Sequence, residues 1–286
     1  MPSHDASNVP TQLLDINSHS IAYRSLGAGM PLILSQRLHG TLDSWDPLFL
    51  DTLADHFRVI IFDYSGSGGS TGEANLCIRA LAEDIIEFAD ALGIDIFVGA
   101  GWSAGALAME CLAMLYPDRI SHIVLISAVP LTKSTLEQRK LLYQQAILFD
   151  NDPDHEMALF FGQASELTRL AAESSYARMA LRTEARSPLI PQAAYKKLLA
   201  DAVNHSSFTA ENKIERFLES TEIPIMVISG ACDIICPTRN WFQYIGVWQS
   251  LHFVAIPQAG HAPQHRDPQL CANLLISFVT SVRVAE

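Results

Sequence analysis

The pentapeptide Gly101-Trp102-Ser103-Ala104-Gly105 lies between the apolar run Ile94-Asp95-Ile96-Phe97-Val98 and a helix-favouring stretch over 106–116. That order reads as a strand, a tight turn and a helix, with a serine carried at the tip of the turn in a strained backbone conformation. Only residues without bulk two positions either side of the serine let strand and helix pass so closely. The five residues alone also fit a Gly/Ser-rich loop with no chemistry. Their flanks separate the two readings and make Ser103 the candidate nucleophile, its hydroxyl projecting.

Working outward, 286 residues with 49% hydrophobic content can bury a large core as one unit plus an insertion. A net charge of −12 repels phosphate backbones and anionic lipid, so nucleic acid and membrane are not expected partners. A small-molecule substrate is, and the sequence is silent on oligomeric state. Residues 1–10 are polar and carry no basic-then-apolar leader, and no apolar run reaches the roughly 18–20 residues of a membrane span. The expected location is cytoplasmic. Cys77, Cys111, Cys232, Cys236 and Cys271 are odd in number and scattered, which suits reduced thiols. Cys232 and Cys236 have no second Cys or His pair to complete a tetrahedral site, so no metal is expected.

Residues 13–16 and 21–24, separated by Asn17-Ser18-His19-Ser20, read as an antiparallel hairpin. Short β-branched runs follow at 32–34, 59–62, 96–98, 123–126, 225–228 and 251–256, as expected of parallel strands covered on both faces. Helical segments at 78–92 and 107–116 lie between them, the first with Leu81, Ile85, Phe88, Ala89 and Leu92 on one stripe. The alternation implies an α/β fold with a doubly wound, mostly parallel sheet. From about 131 to 220 the rhythm breaks into helix-favouring sequence, with candidate helices near 135–148, 155–161, 166–183 and 191–203. This gives an expected division into core 1–130, inserted helical lid 131–220 and core 221–286. Leu142, Leu148, Phe160, Phe161, Leu167, Leu170, Met179 and Leu198 are the lid's expected apolar positions.

An activated serine needs a base, and the base an orienting carboxylate. Asp233 follows the 225–228 strand through Ser229-Gly230-Ala231-Cys232, and His261 follows the 251–256 strand through Pro257-Gln258-Ala259-Gly260. Loops beyond the carboxyl ends of parallel strands converge on one edge, so Ser103, Asp233 and His261 can meet there. The other histidines, His39 and His265 among them, read as surface or hydrogen-bonded structural residues. Asp63 is a rival acid after a strand. No cofactor is expected, because Gly66-Ser67-Gly68-Gly69 lacks dinucleotide-site spacing and the acidic residue that should follow.

With the serine turn, Asp63-Tyr64-Ser65-Gly66-Ser67-Gly68-Gly69-Ser70, Gly230-Ala231-Cys232-Asp233 and Gly260-His261-Ala262-Pro263, the chain resembles the α/β-hydrolase fold superfamily over about 12–282. The closest likeness is to its lid-bearing esterases, lactonases, carbon–carbon bond hydrolases and haloperoxidase-like members. The resemblance implies that Asp63 braces its turn, and that Ala104 N–H supplies one oxyanion donor. It also implies a His-Gly pair before the second donor. Counting back from Trp45, which matches a family tryptophan, puts Gln36-Arg37 at that place and Leu38 at the donor, with Thr41 as the alternative and His39-Gly40 coincidental. Arg37 then stands in place of a glycine. It either binds a substrate carboxylate or phenolate or points away into an ion pair, and the second is the expectation. Ser65 stands where arginine is common, so different contacts are expected there.

Trp102 and Trp241, the latter with Phe242 and Tyr244, suggest an aromatic-rich substrate neighbourhood, although packing beneath the loops explains them equally. The expected activity is hydrolysis of a carboxylic ester or lactone of a small to medium apolar or aromatic substrate through an acyl-enzyme. Two alternatives stay open: a lyase, isomerase or carbon–carbon bond cleaving enzyme using the same three residues for acid–base work, and a hydrolase-shaped ligand receptor.

Overall fold

The structure, a computed structural model, describes residues 4–132, 153–204 and 211–281. Eight strands form one sheet in the order β1-β2-β4-β3-β5-β6-β7-β8. They are β1 Gln12–Ile16, β2 His19–Leu26, β3 Pro31–Ser35, β4 Arg58–Phe62, β5 Phe97–Trp102, β6 Ile120–Ile126, β7 Ile225–Gly230 and β8 Leu251–Ile256. β1, β2 and β4 pair antiparallel, and every pairing from β4 across to β8 is parallel. The fold is therefore the doubly wound, mostly parallel α/β sheet expected. The opening hairpin is tighter than expected: Ile16 pairs with His19, so only Asn17-Ser18 turns the chain, with Asn17 at φ 52°.

Period-two alternation sorts each strand between two cores. Leu32, Leu34, Val59, Ile61, Val98, Ala100, Val124 and Ile126 face one side, and Ile33, Ile60, Phe62, Phe97, Ile123 and Leu125 face the other. Helices α2 (Ile78–Ala91) and α3 (Ala104–Leu115) cover the second side. Helix α1 (Pro47–Ala54) and the C-terminal helix described below cover the first. Both faces being dry is why the strand runs are continuous rather than alternating. The α1 helix escapes a reading for long periodic stretches because it is short. Its start is nonetheless well marked, with Asp46 accepting from Leu48 N at 3.0 Å and Pro47 in the first turn.

Between β6 and β7 the described residues hold α4 (Pro153–Phe161), α5 (Glu166–Met179), α6 (Gln192–Asn204) and α7 (Glu211–Ser220). The helix expected over 135–148, with Leu142 and Leu148, lies outside the described residues. Phe160 and Phe161 are buried as expected, whereas Leu167 and Leu170 are exposed. These helices join the two cores through Leu159, Phe160, Phe161, Ala172, Tyr195, Leu199, Ile214 and Leu218, and polar contacts add to that packing. Arg178 and Ser175 of α5 both reach the fully buried Asp46 at 2.7 Å, Arg182 donates to the carbonyls of Ala6 and Val9, and Ser187 bonds Asp63. After β8, α8 (Pro263–Arg266) and α9 (Pro268–Ser281) complete the core. No helix of the described residues is long and apolar enough to cross a membrane.

Candidate active site

Ser103 sits between the end of β5 and the start of α3 with φ 57° and ψ −116°, a conformation that L-residues avoid and that persists only when its surroundings enforce it. Those surroundings are visible. Ser103 N–H donates to Ile126 O at 2.9 Å, and the two glycines leave no room for a side chain. A Cβ on Gly101 would lie 2.4 Å from Ala106 N, and one on Gly105 would lie 2.3 Å from Ser35 O. The serine is thus held at a sharp corner, as the sequence implies.

The three residues expected to meet do meet. Ser103 Oγ is 2.9 Å from His261 Nε2, and His261 Nδ1–H donates to Asp233 Oδ2 at 2.8 Å. All three are buried. The other oxygen of Asp233 accepts from Ile235 N and Cys236 N, both at 2.8 Å, which fixes the carboxylate in the loop after β7. Burial pushes the Asp233 carboxyl up, but the charge and hydrogen bond of His261 and those two amides outweigh it and hold the group below the usual carboxylate range. An ionised Asp233 in turn fixes the His261 tautomer that leaves Nε2 free to take the serine proton. The base loop is tied to the insertion, since His261 N and Ala262 N donate to the carbonyls of Leu159 and Phe160 on α4. Asp63 is fully buried and spends its oxygens on Leu42 N, Gly69 N and Ser187 Oγ, a turn brace as the resemblance implies. Ser65 bonds Asp84 through both its amide and its hydroxyl.

On the oxyanion side the two candidate donors separate. Thr41 N–H donates to Ser44 Oγ at 2.9 Å within a capping box, so it is already engaged. Leu38 N–H and Ala104 N–H have no acceptor among the described residues, and Leu38 and Ala104 line one cavity together. Gln36 braces the Leu38 loop by donating from Nε2 to Phe62 O at 2.7 Å. His39, at φ 56°, stacks on Tyr195 and contacts Ile190 O, consistent with a coincidental His-Gly pair.

Arg37 departs from expectation, because it forms no ion pair among the described residues. Its Nη1 donates to Leu38 O at 2.9 Å, while Nε is sealed from solvent without a partner. Its Cζ lies 5.2 Å from the Trp102 ring centroid and 5.0 Å from that of Phe160. Each such contact is worth about 0.5–2 kcal/mol, rising with desolvation. Burial lowers the guanidinium's pKa, opposed by Tyr195 and Glu156.

Trp102 lines a cavity, whereas Trp241 is fully buried in the core. The Trp102 indole is buried, donates from Nε1 to His261 O at 2.7 Å and packs 5.2 Å from His265. Trp241 is fully buried in the α2/α3-side core, donates to Ala128 O and meets Trp248 edge-on. Its size places it beneath the loop, not in a pocket. Tyr244 is likewise buried, and Phe242 points outward. Cys236 approaches Asp233 and His261 closely enough for the three to resemble a metal cluster. Burial and Asp233 push its thiol well above the ordinary cysteine value, and the Asp233 and His261 atoms of that cluster are engaged in the hydrogen bonds given above. All five cysteines are free.

A strained serine turn at the head of a parallel sheet, joined through histidine to a buried carboxylate, defines the hydrolase class of α/β proteins. The α/β hydrolase fold family profile matches residues 31–268, and this chain, an enzyme, belongs to that family. Among solved structures it is similar to an α/β hydrolase fold protein from Chitinophaga pinensis. The two share 29% identity at a TM-score of 0.82, over 98% of this chain and all of the other. Among curated proteins it is 26% identical to a proline iminopeptidase from Xylella fastidiosa over 296 residues, 90% of this chain and 93% of the relative. It is 22% identical to a pimeloyl-[acyl-carrier protein] methyl ester esterase from Yersinia enterocolitica, over 80% of this chain and 85% of that one.

Proposed function

We propose that the enzyme hydrolyses a carboxylic ester or lactone of a small to medium, apolar or aromatic substrate. The observation that carries this reading is the unbroken hydrogen-bonded path from Ser103 Oγ through His261 to Asp233. His261 Nε2 takes the serine proton as Oγ attacks the carbonyl carbon, and Asp233 holds the tautomer and stabilises the imidazolium. Leu38 N–H and Ala104 N–H receive the oxyanion, the latter at the start of α3 where the helix dipole favours negative charge. The tetrahedral intermediate collapses to an acyl-enzyme as His261 returns the proton to the leaving oxygen. Water, deprotonated by the same histidine, then releases the acid.

Relatives named as a peptidase and as an ester esterase support acyl-carbonyl chemistry as the common ground. Five free thiols are in keeping with a reducing, cytoplasmic location. The test is release of p-nitrophenol from short and medium acyl esters by wild type and Ser103→Ala across pH 5–9. Turnover that rises with pH and vanishes in the variant is expected. Equal rates in both proteins, or phosphonate labelling of Ser103 with no ester turnover, would overturn the ester reading in favour of acid–base chemistry without an acyl intermediate.

A further inference from the structure

A cavity of about 90 Å³ lies beside the catalytic residues, walled by Trp102 before the nucleophile, Ala262 after the base, and Phe160, whose ring stacks on that of His261 with centroids 6.4 Å apart. Arg37 and Glu156 also line it. That volume exceeds what a few waters need and accommodates a carboxylate with its adjoining carbons. The distribution of charge around the cavity is unusual. Arg37 sets a guanidinium against the Trp102 and Phe160 rings, which themselves meet edge-on with centroids 5.7 Å apart, with one nitrogen bonded to a neighbouring carbonyl, a sealed Nε without a partner, and no carboxylate in ion-pair contact among the described residues. Glu156, on α4, faces the same space without pairing with it, and burial raises its carboxyl toward the neutral form, with Arg37 opposing. A partly buried cation left without a counter-charge is unfavourable unless something supplies one. A guanidinium presents planar paired donors matched to a carboxylate, and flanking aromatic faces fix its plane.

We propose that Arg37 is a specificity-determining residue that binds a carboxylate on the substrate, so that the preferred ester or lactone is an anion whose charged end enters the Trp102–Phe160 cavity. This rests on the ester-hydrolase reading and names the substrate class for it. The uncharged body of the substrate lies toward Ser103, and its acid group replaces solvent at Arg37. The protein's net charge of −12 works against any anion at long range, so the selection is local and short-ranged.

Two isosteric pairs test it on either side of the scissile bond: the 4-nitrophenyl monoester of glutaric acid against the 4-nitrophenyl ester of glutaric acid monoamide, and 4-carboxyphenyl butanoate against 4-carbamoylphenyl butanoate. The readout is the ratio of kcat/KM for the charged to the neutral member, which is insensitive to how much of a variant folds. Wild type should favour the charged member of at least one pair by tenfold or more. Arg37→Gln should collapse that ratio at least thirtyfold, chiefly through KM, and Arg37→Lys should restore part of it. A ratio near one in wild type for both pairs, or a ratio unchanged in Arg37→Gln, would overturn the proposal. Glutarate binding to Ser103→Ala by calorimetry, lost in Ser103→Ala/Arg37→Gln, reads the carboxylate site even if no ester is turned over. Failure of the hydrolase reading is thereby distinguishable from failure of this one.

Discussion

Trp102 Nε1–H and the His261 carbonyl are joined by a 2.7 Å hydrogen bond, so the residue before Ser103 holds the backbone of His261. The two loops that bring Ser103 and His261 together are thereby fixed to each other independently of those two side chains. Trp102→Phe removes the donor and keeps most of the ring. Loss of positional control by a fraction of an ångström should lower kcat about tenfold with a smaller change in KM. Steady-state kinetics on a p-nitrophenyl ester, beside a circular-dichroism melt showing a folded variant, checks it.

Asp233→Asn should lower kcat by about 10⁴-fold. Ile235 N–H and Cys236 N–H both require an oxygen at the Oδ1 place, so the new amide must turn its NH₂ toward His261 Nδ1. That donor forces the proton of the ring onto Nε2, where the serine proton should go. Single-turnover kinetics should show slow acylation with Ser103 still present and phosphonate labelling retarded in proportion.

The close approach of helix to strand can be tested against a control glycine. At Gly105 a Cβ would lie 2.3 Å from Ser35 O and 2.6 Å from Gln36 O, both main-chain atoms that cannot turn aside. Gly105→Ala should destabilise the fold by about 3 kcal/mol, the upper end for overpacking. Gly93, at φ +67°, has nothing within 4 Å, so Gly93→Ala should cost only the left-handed backbone strain of about 1–2 kcal/mol. Urea unfolding midpoints at equal m-value give both numbers.

Acid stability should carry the signature of His265. Burial, opposed by Asp46 and reinforced by Arg37, lowers its pKa from 6.5 to about 4. Its Nε2–H donates to Ser44 O at 3.0 Å, and Ser175 Oγ lies 3.0 Å from Nδ1. The unfolded chain takes up the proton first as pH falls. The contribution is therefore fully present above about pH 6.5 and lost as pH drops toward 4, by an amount on the order of 3 kcal/mol. Asp51, whose carboxyl is pushed up to about 6 mainly by burial, runs in the opposite sense and loses stability as pH rises toward 6, so the wild-type curve alone is flattened. His265→Gln should be less stable than wild type at pH 7.5 and close that gap by pH 4.5. A gap independent of pH would mean that the ring takes up its proton over the same pH range in the folded and the unfolded chain.

The strands and the loop positions of Ser103, Asp233 and His261 were legible because each depends on local pattern. The runs at 32–34, 59–62 and 123–126 are continuous where both faces are covered, and Gly101, Gly105, Gly230 and Gly260 mark the close approaches flanking Ser103, Asp233 and His261. Helices α1, α7, α8 and α9 were not read. The first three are short, and the last was passed over although Asp267-Pro268 marks its start. The exposure of Leu167 and Leu170 shows the limit of apolar composition as a guide, since α5 anchors through Ser175 and Arg178 onto Asp46 and not through those leucines.

By itself the sequence determined the doubly wound sheet, the strained turn at Ser103 and the order of the three residues, because hydrophobic period and glycine sterics act between near neighbours. Which residues line the candidate site was decided only by tertiary structure. Ser44 consumes the Thr41 amide and leaves Leu38, Trp241 sinks beneath its loop while Trp102 stays at the site, and Arg37 lies against the Trp102 and Phe160 rings with no carboxylate in ion-pair contact among the described residues. Each of those outcomes depends on groups brought together from distant positions in the chain, and competition for a donor, a cavity or a counter-charge exists only once they are in contact.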